Sequence, residues 1–249
     1  MYKKIIQGKK AVFFDLDGTI IKDSPKYAVQ AVQKVLDEVI KASYIDAKDY
    51  DFTGVPLEKR WEAILKINGL KNEKSVKELV DLTYEEIYKI ISDQQNDPVT
   101  EGFWDFIYEI KEEKGLKTAL TTNSPRAVSI KVLEKIGADK VFDFMIFGDE
   151  VKRTKPNPEM YKKTLKALKV KPKEAVVFED SIAGVTAAVS AKIDVVVIWN
   201  GVLSKLEYPD KVLEFLPDFS DLPGKLDEDY FEYMQRRAEE TKKDKTKDL

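Results

Sequence analysis

Two periodicities run along this chain. Five short apolar runs bounded by polar residues, Ala11–Phe14, Lys117–Thr121, Phe144–Phe147, Ala175–Phe178 and Val195–Trp199, read as buried parallel strands. Helical patterns separate the last four, as βαβ crossovers require. Ser124-Pro125 and Asn157-Pro158 each set a capping side chain before a proline at the first helical position. Thr100 is expected to cap a helix from Glu101 to Lys114 that Gly115 ends.

Between the first and second strands the pattern changes. Residues 21–97 hold no strand signal but three amphipathic stretches, Pro25–Ala42, Pro56–Ile67 and Lys71–Ile91, which predict an inserted all-helical module. Pro98 and Thr100 mark the return. The expected organisation is an α/β core of doubly wound parallel sheet over 1–20 and 98–225, a helical insertion over 21–97, and a charged helix and tail over 226–249. In the tail, Tyr230, Tyr233 and Met234 can form an apolar stripe, and Thr241–Leu249 reads as a solvated, frayed end. There is no internal repeat, G-x-G-x-x-G or G-x-x-x-x-G-K-[ST].

Composition narrows the chemistry. The 249 residues include no cysteine and no histidine. That removes disulfides, thiolate catalysis, Cys-ligated metals, imidazole-based triads and the commonest transition-metal ligand. Catalysis must rest on carboxylates, hydroxyls, lysines or arginines, and any metal should be a hard ion such as Mg²⁺. With 42 basic and 45 acidic residues nearly cancelling, no global field marks a nucleic-acid binder. No apolar run approaches the roughly 20 residues of a membrane span, and the first ten residues lack an apolar signal core. A soluble cytoplasmic protein is the default expectation.

In an open parallel sheet, ligands bind beyond the carboxyl ends of the strands. The polar residues just past them are Asp15 and Asp17 after the first, Thr122 and Asn123 after the second, Lys155 past the third, and Glu179, Asp180 and Ser181 after the fourth. Carboxylates, a hydroxyl and a lysine thus converge at one edge, a set suited to Mg²⁺ and a phosphate.

These same segments carry a resemblance. Asp15-Leu-Asp-Gly-Thr19, Thr122-Asn123, Lys155-Pro156 and Phe178-Glu-Asp-Ser-Ile-Ala-Gly184 resemble the four ordered motifs of the haloacid dehalogenase-like superfamily. The likeness covers roughly residues 10 to 215 and is nearest to members with a helical cap after the first motif, such as β-phosphoglucomutase and phosphoglycolate-type phosphatases. The resemblance implies a Rossmann-like core with a helical cap. It implies Asp15 as nucleophile and Mg²⁺ ligand, and Asp17 as the acid and base that protonates the leaving oxygen and then draws a proton from water. Asp180 is the implied Mg²⁺ ligand, Glu179 a further ligand or supporting partner, and Asp17 is also counted near the metal. Lys155 would neutralise charge between Asp15 and the transferring group. Thr122 and Asn123 would bind the phosphate, with the Ser124-Pro125 helix start adding N–H groups. Ser181 could orient metal-bound water or simply cap the next helix.

The segment from Phe52 to Arg60 and the helix after it are similar to the family's specificity loop, so Lys59 and Arg60 are candidates for a second anionic group and Tyr27 for stacking on a ring. Trp61 and Ile64 suit the cap's own core. Mutase-like members carry an arginine near where Leu57 stands, and a cap histidine, neither evident here. The step from Gly18-Thr19 to Asp23-Ser24 is one residue longer than usual, and Ala191-Lys192 stands where a glycine commonly ends the helix. The expected activity is Mg²⁺-dependent hydrolysis of a small phosphorylated metabolite, such as a sugar phosphate, phosphoglycolate or a nucleotide, through an aspartyl-phosphate. A sugar phosphomutase, a phospho-accepting signalling module and a non-catalytic binding protein on the same fold stand as alternatives.

Overall fold

Phe13 and Phe14 show why the first apolar run becomes a central strand. Side chains alternate across a strand, so the two rings point to opposite faces of the sheet, and both are fully buried. Phe14 stacks on Phe178 at 5.5 Å between centroids and meets Phe103 and Phe106 edge-on. Phe13 joins a second cluster with Val177, Val195 and Tyr161. Each buried ring contributes about 1.5–3 kcal/mol.

The computed structural model describes residues 2–49, 55–70, 73–94 and 97–222. The expected tail over 226–249 lies outside them, as does the Phe52–Gly54 part of the candidate specificity loop. Six parallel strands, β1 (Ala11–Phe14), β2 (Lys117–Thr121), β3 (Phe144–Ile146), β4 (Ala175–Glu179), β5 (Asp194–Ile198) and β6 (Val212–Leu216), lie in the order β3-β2-β1-β4-β5-β6. Helix α1 (Tyr2–Ile6) precedes β1; α5 (Phe103–Tyr108), α6 (Arg126–Ile136), α7 (Glu159–Leu168) and α8 (Ile182–Ser190) belong to the crossovers. β6 was not expected from the sequence. It is an edge strand, mostly half-buried, with Glu214 in its middle and a bulge in its pairing to β5, so its apolar signal is weak.

The insertion contains α2 (Ser24–Val35), α3 (Leu57–Ile67) and α4 (Val76–Ser92). Ser75 caps α4 with a reciprocal Ser75–Glu78 box. Trp61 is fully buried and donates its indole N–H to Thr83 Oγ1 at 2.9 Å. α4 packs on α2, on α3, and on α6 of the core. Two expected helices are shorter than their patterns. After Val35 and after Tyr108 the chain widens into looser turns; Lys114 N–H, for example, reaches back five residues to the Glu109 carbonyl. Thr100 does not cap α5, since Gly102 precedes that helix. Its hydroxyl instead donates to the Thr19 carbonyl at 2.6 Å, and its N–H to Ile20 O at 2.8 Å. The two ends of the insertion are thereby bound to each other. Lys192 takes the left-handed conformation, φ +64°, at the position where a glycine would be easier.

Candidate active site

β1 and β4 run side by side with Phe14 opposite Phe178. The strand order reverses at this pair, and an open α/β sheet places its ligand crevice there. The residues leaving the two strands therefore meet. Asp15 N–H donates to the Phe178 carbonyl at 3.0 Å, and Lys155 closes the group from the loop after β3. The Lys155 ammonium donates to Asp15 Oδ1 at 2.7 Å, to Glu179 Oε1 at 2.6 Å and to the Thr121 carbonyl at 2.6 Å. All three of its protons are spent on protein groups, so toward a substrate Lys155 acts by charge rather than by hydrogen bonds. Burial alone would lower its pKa, but Asp15 and Glu179 more than offset that and hold it well above the ordinary lysine range.

Asn123 and Tyr161 fix this lysine. Asn123 Oδ1 accepts from Lys155 N–H at 3.0 Å and its Nδ2 donates to Lys155 O at 3.3 Å. The side chain expected to bind phosphate thus holds the lysine loop. Tyr161 places its ring 5.3 Å from Lys155 Nζ and its hydroxyl 3.3 Å from Glu179 Oε1. Thr122 Oγ1 accepts from Ser124 N–H at 3.0 Å and keeps its own proton to give, on the wall of the crevice.

Asp15, Glu179 and Asp180 each place a carboxylate oxygen within 4.8 Å of the others. Their occupancies differ. Glu179, fully buried, accepts Lys155 and Tyr161 on Oε1, and the Asp180 and Ser181 amides and the Ser181 hydroxyl on Oε2, each at 3.0 Å. Its Oε1 also fills the space a Cβ at Gly184 would need, 1.7 Å away. Asp180 Oδ1 is shut from solvent and has no hydrogen-bond partner among the described residues. Asp180 Oδ2 lies 2.0 Å from where a Cβ on Gly18 would stand, and Gly18 has φ +86°, so glycine is required there on both counts. Burial first, then the charges of Glu179 and Asp15, hold the Asp180 carboxyl well above its usual range. Asp15 is raised by burial against the pull of Lys155.

Three carboxylates facing one ammonium leave two negative charges. An orphaned carboxylate oxygen, an all-oxygen donor set and that charge fit a divalent hard cation. Asp17 stands apart from this trio. Ser24 and Ser124 hydroxyls donate to its two carboxylate oxygens, Ser124 at 2.6 Å, and its carboxylate, expected from the sequence near the metal, is not in the group of three that come together. Ser124 is therefore not the cap of α6. Ser181 is the cap of α8, accepting Gly184 N–H at 3.0 Å.

A haloacid dehalogenase-like hydrolase family model matches residues 9–192, which takes in every group above. The chain belongs to the haloacid dehalogenase-like hydrolases. Among its relatives is a phosphorylated carbohydrates phosphatase of Thermotoga maritima, 35% identical over 187 residues, 74% of this chain and 82% of the relative. A phosphoglycolate phosphatase of Aquifex aeolicus is 28% identical over 82% of this chain and 92% of its own. Among solved structures, β-phosphoglucomutase from Clostridium difficile has the same fold, with TM-score 0.69 at 23% identity over 93% of this chain and 98% of that one.

In this haloacid dehalogenase-like hydrolase the insertion roofs the crevice, leaving a cavity of about 500 Å³ between it and the carboxyl-end loops. Arg60 and Lys48 line it. Lys59 does not, pairing with Glu62 at 2.8 Å on the exposed side of α3. Tyr27 is packed into the helical core rather than facing a ligand. Two tyrosines that sequence reasoning passed over stand here instead. Tyr208 donates to the Asp180 carbonyl at 2.7 Å, and burial with Asp180 nearby pushes its phenol up to about 12. Tyr84, from α4, lines the cavity, and burial together with the charge of Asp17 holds its phenol above the ordinary range. Neither lies in a strand-end motif. Only the aromatic residue on a polar, amphipathic face could have hinted at Tyr84. No helix of the described residues is long and apolar enough to cross a membrane.

Proposed function

We propose that this hydrolase is a Mg²⁺-dependent phosphatase that takes a phosphoryl group from a small metabolite onto Asp15 and passes it to water. The observation that carries this reading is the pairing, at one switch point, of Asp15 with the buried, partnerless oxygen of Asp180. Bound between Asp15 and Asp180, with Glu179 beside them, Mg²⁺ would supply charge that draws phosphoryl oxygens toward the nucleophile. In the first step an Asp15 carboxylate oxygen bonds phosphorus as the ester oxygen leaves, and Asp17 delivers a proton to that oxygen. In the second step Asp17 takes the proton back from water, whose oxygen attacks the acyl phosphate and frees Asp15. Asp17 keeps one lone pair on each oxygen beyond its two hydroxyl donors, so the carboxyl can take and give that proton while held in place. Lys155 offsets charge on the transferring group and Thr122 offers a proton to one of its oxygens.

The name of the Thermotoga maritima relative favours a phosphorylated sugar as substrate, and Arg60 and Lys48 in the roof suit a second anionic group on it. The test is phosphate release from a panel of phosphometabolites with Mg²⁺ present and then chelated, repeated with Asp15→Asn. Loss of release on chelation and in the variant is expected; wild-type turnover by Asp15→Asn would remove the mechanism. Hexose 1-phosphates in the panel, followed for isomerised product, test the mutase alternative.

A further inference from the structure

Asp180 belongs neither to the strand before it nor to the helix after it, so its direction is set by what holds its peptide groups. β4 ends at Glu179, and Ser181 caps α8. The Asp180 and Ser181 amides both donate to Glu179 Oε2 at 3.0 Å. The carbonyl between them takes its hydrogen bond from farther off. The Tyr208 hydroxyl, 28 residues on in the chain, donates to it at 2.7 Å. The peptide joining Asp180 to Ser181 is thus held at its N–H edge by one of the three clustered carboxylates and at its C=O edge by a phenol outside them. Gly18 bounds the side chain next to Oδ2. Held on these sides, the carboxylate has little freedom to turn away from Asp15 and Glu179.

The fold delivers Tyr208 to this point. β5 pairs with β4, so the chain leaving β5 starts beside the Asp180 segment. The Trp199 indole donates to the Leu203 carbonyl at 2.8 Å and the turn Lys205–Glu207 follows, which folds the segment before Tyr208. The Tyr208 ring is buried and meets Phe215 edge-on at 5.4 Å. It borders the cavity, but its one proton is given to Asp180, so it has no donor left for an anionic substrate.

We propose that Tyr208 is a positioning residue for the cation site, its hydroxyl holding the Asp180 carbonyl so that the Asp180 carboxylate stays turned toward Asp15 and Glu179. This rests on the reading of Asp180 as a Mg²⁺ ligand. A phenol that only satisfied a buried carbonyl would matter to folding and not to the metal. Where it sets the ligand's direction, loss of the hydroxyl weakens Mg²⁺ binding itself.

The experiment titrates Mg²⁺ alone into the metal-stripped full chain by calorimetry. Tyr208→Phe keeps the ring against Phe215 and removes only the donor, and should raise the Mg²⁺ Kd about fivefold, the worth of one hydrogen bond. The Mg²⁺ concentration giving half-maximal phosphate release should rise by the same factor. Phe215→Leu keeps the hydroxyl and loosens the packing, so it should lower the melting temperature in chelator and leave the Kd near that of the wild type. An unchanged Kd in Tyr208→Phe overturns the proposal, and so does an equal loss in both variants, which would assign the effect to packing. Should Tyr208→Phe be too unstable to titrate, the rise of its melting temperature with Mg²⁺ reads the same affinity, and a rise equal to the wild type's overturns the proposal as well. Wild type that takes up no Mg²⁺ removes the metal reading and this role with it; wild type that binds, with Tyr208→Phe binding equally, removes the positioning role alone.

Discussion

Asp180→Asn should make the metal-free protein more stable and the metal-loaded protein less so. In the wild type, Asp180 Oδ1 is buried without a partner beside Asp15 and Glu179, and burial with like charge raises its carboxyl. An unsatisfied buried polar group costs about 1–3 kcal/mol, and a charged one more. The amide keeps the shape, sheds the charge and brings two N–H donors to neighbouring carboxylates. At roughly 2–4 °C per kcal/mol for a chain of this size, the melting temperature in chelator should rise by about 2–12 °C. Mg²⁺ at a hundred times its Kd should add about 2.7 kcal/mol to the wild type. The variant, lacking the ligand, should gain little of that. The order of the two melting curves therefore inverts between chelator and Mg²⁺, while phosphate release is lost in the variant. Thermal unfolding by circular dichroism in both buffers is the assay. A variant less stable than wild type in chelator, or one that keeps the full Mg²⁺ increment, would refute the assignment of Asp180 as the ligand left waiting.

The stabilisation by Mg²⁺ should grow with pH. Asp15 and Asp180 have raised folded pKa values, so the stability they lend is present below the ordinary carboxylate pKa and is lost as pH rises through the folded values. The cation binds the deprotonated form. The difference in melting temperature with and without Mg²⁺ should be small near about pH 5 and larger near about pH 8, since carboxylates elsewhere cancel in the difference; a flat difference would count against the cluster. Lys155→Met should cost about 3–5 kcal/mol as well as activity, because Asp15 and Glu179 would lose the buried ammonium between them; an unchanged unfolding midpoint in urea would show the pairing to be dispensable.

Much of this was legible in the sequence, for a physical reason. A strand buried on both faces must be apolar throughout, and a carboxylate set directly after it is costly unless something binds it. Asp15, Glu179 and Asp180 are thus conspicuous from chain position alone, and the parallel sheet brings positions 15 and 179 together by register. What one strand-end motif cannot reveal is how its members divide their lone pairs. Glu179 and Asp180 are adjacent and chemically alike, yet one accepts five donors and the other keeps an oxygen with none. That difference depends on Lys155, Tyr161 and the first turn of α8, three separate stretches of chain. Asn123 reads as a phosphate binder until its carboxamide is seen bracing the Lys155 backbone. Edge strand β6 escaped because a half-exposed strand needs no continuous apolar run.

The cap illustrates the deeper limit. Lys59 and Arg60 are neighbours in sequence and both cationic, but at 100° per residue they cannot share a face of α3. Arg60 reaches the cavity, whereas Lys59 turns to Glu62 and solvent. Tyr84 sits 67 positions from Asp17 in sequence, and its place at the acid follows from α4 packing on both α2 and α6. The chemistry of the core is written in motifs that follow its strands, while its coupling to the cap is written in helix packing.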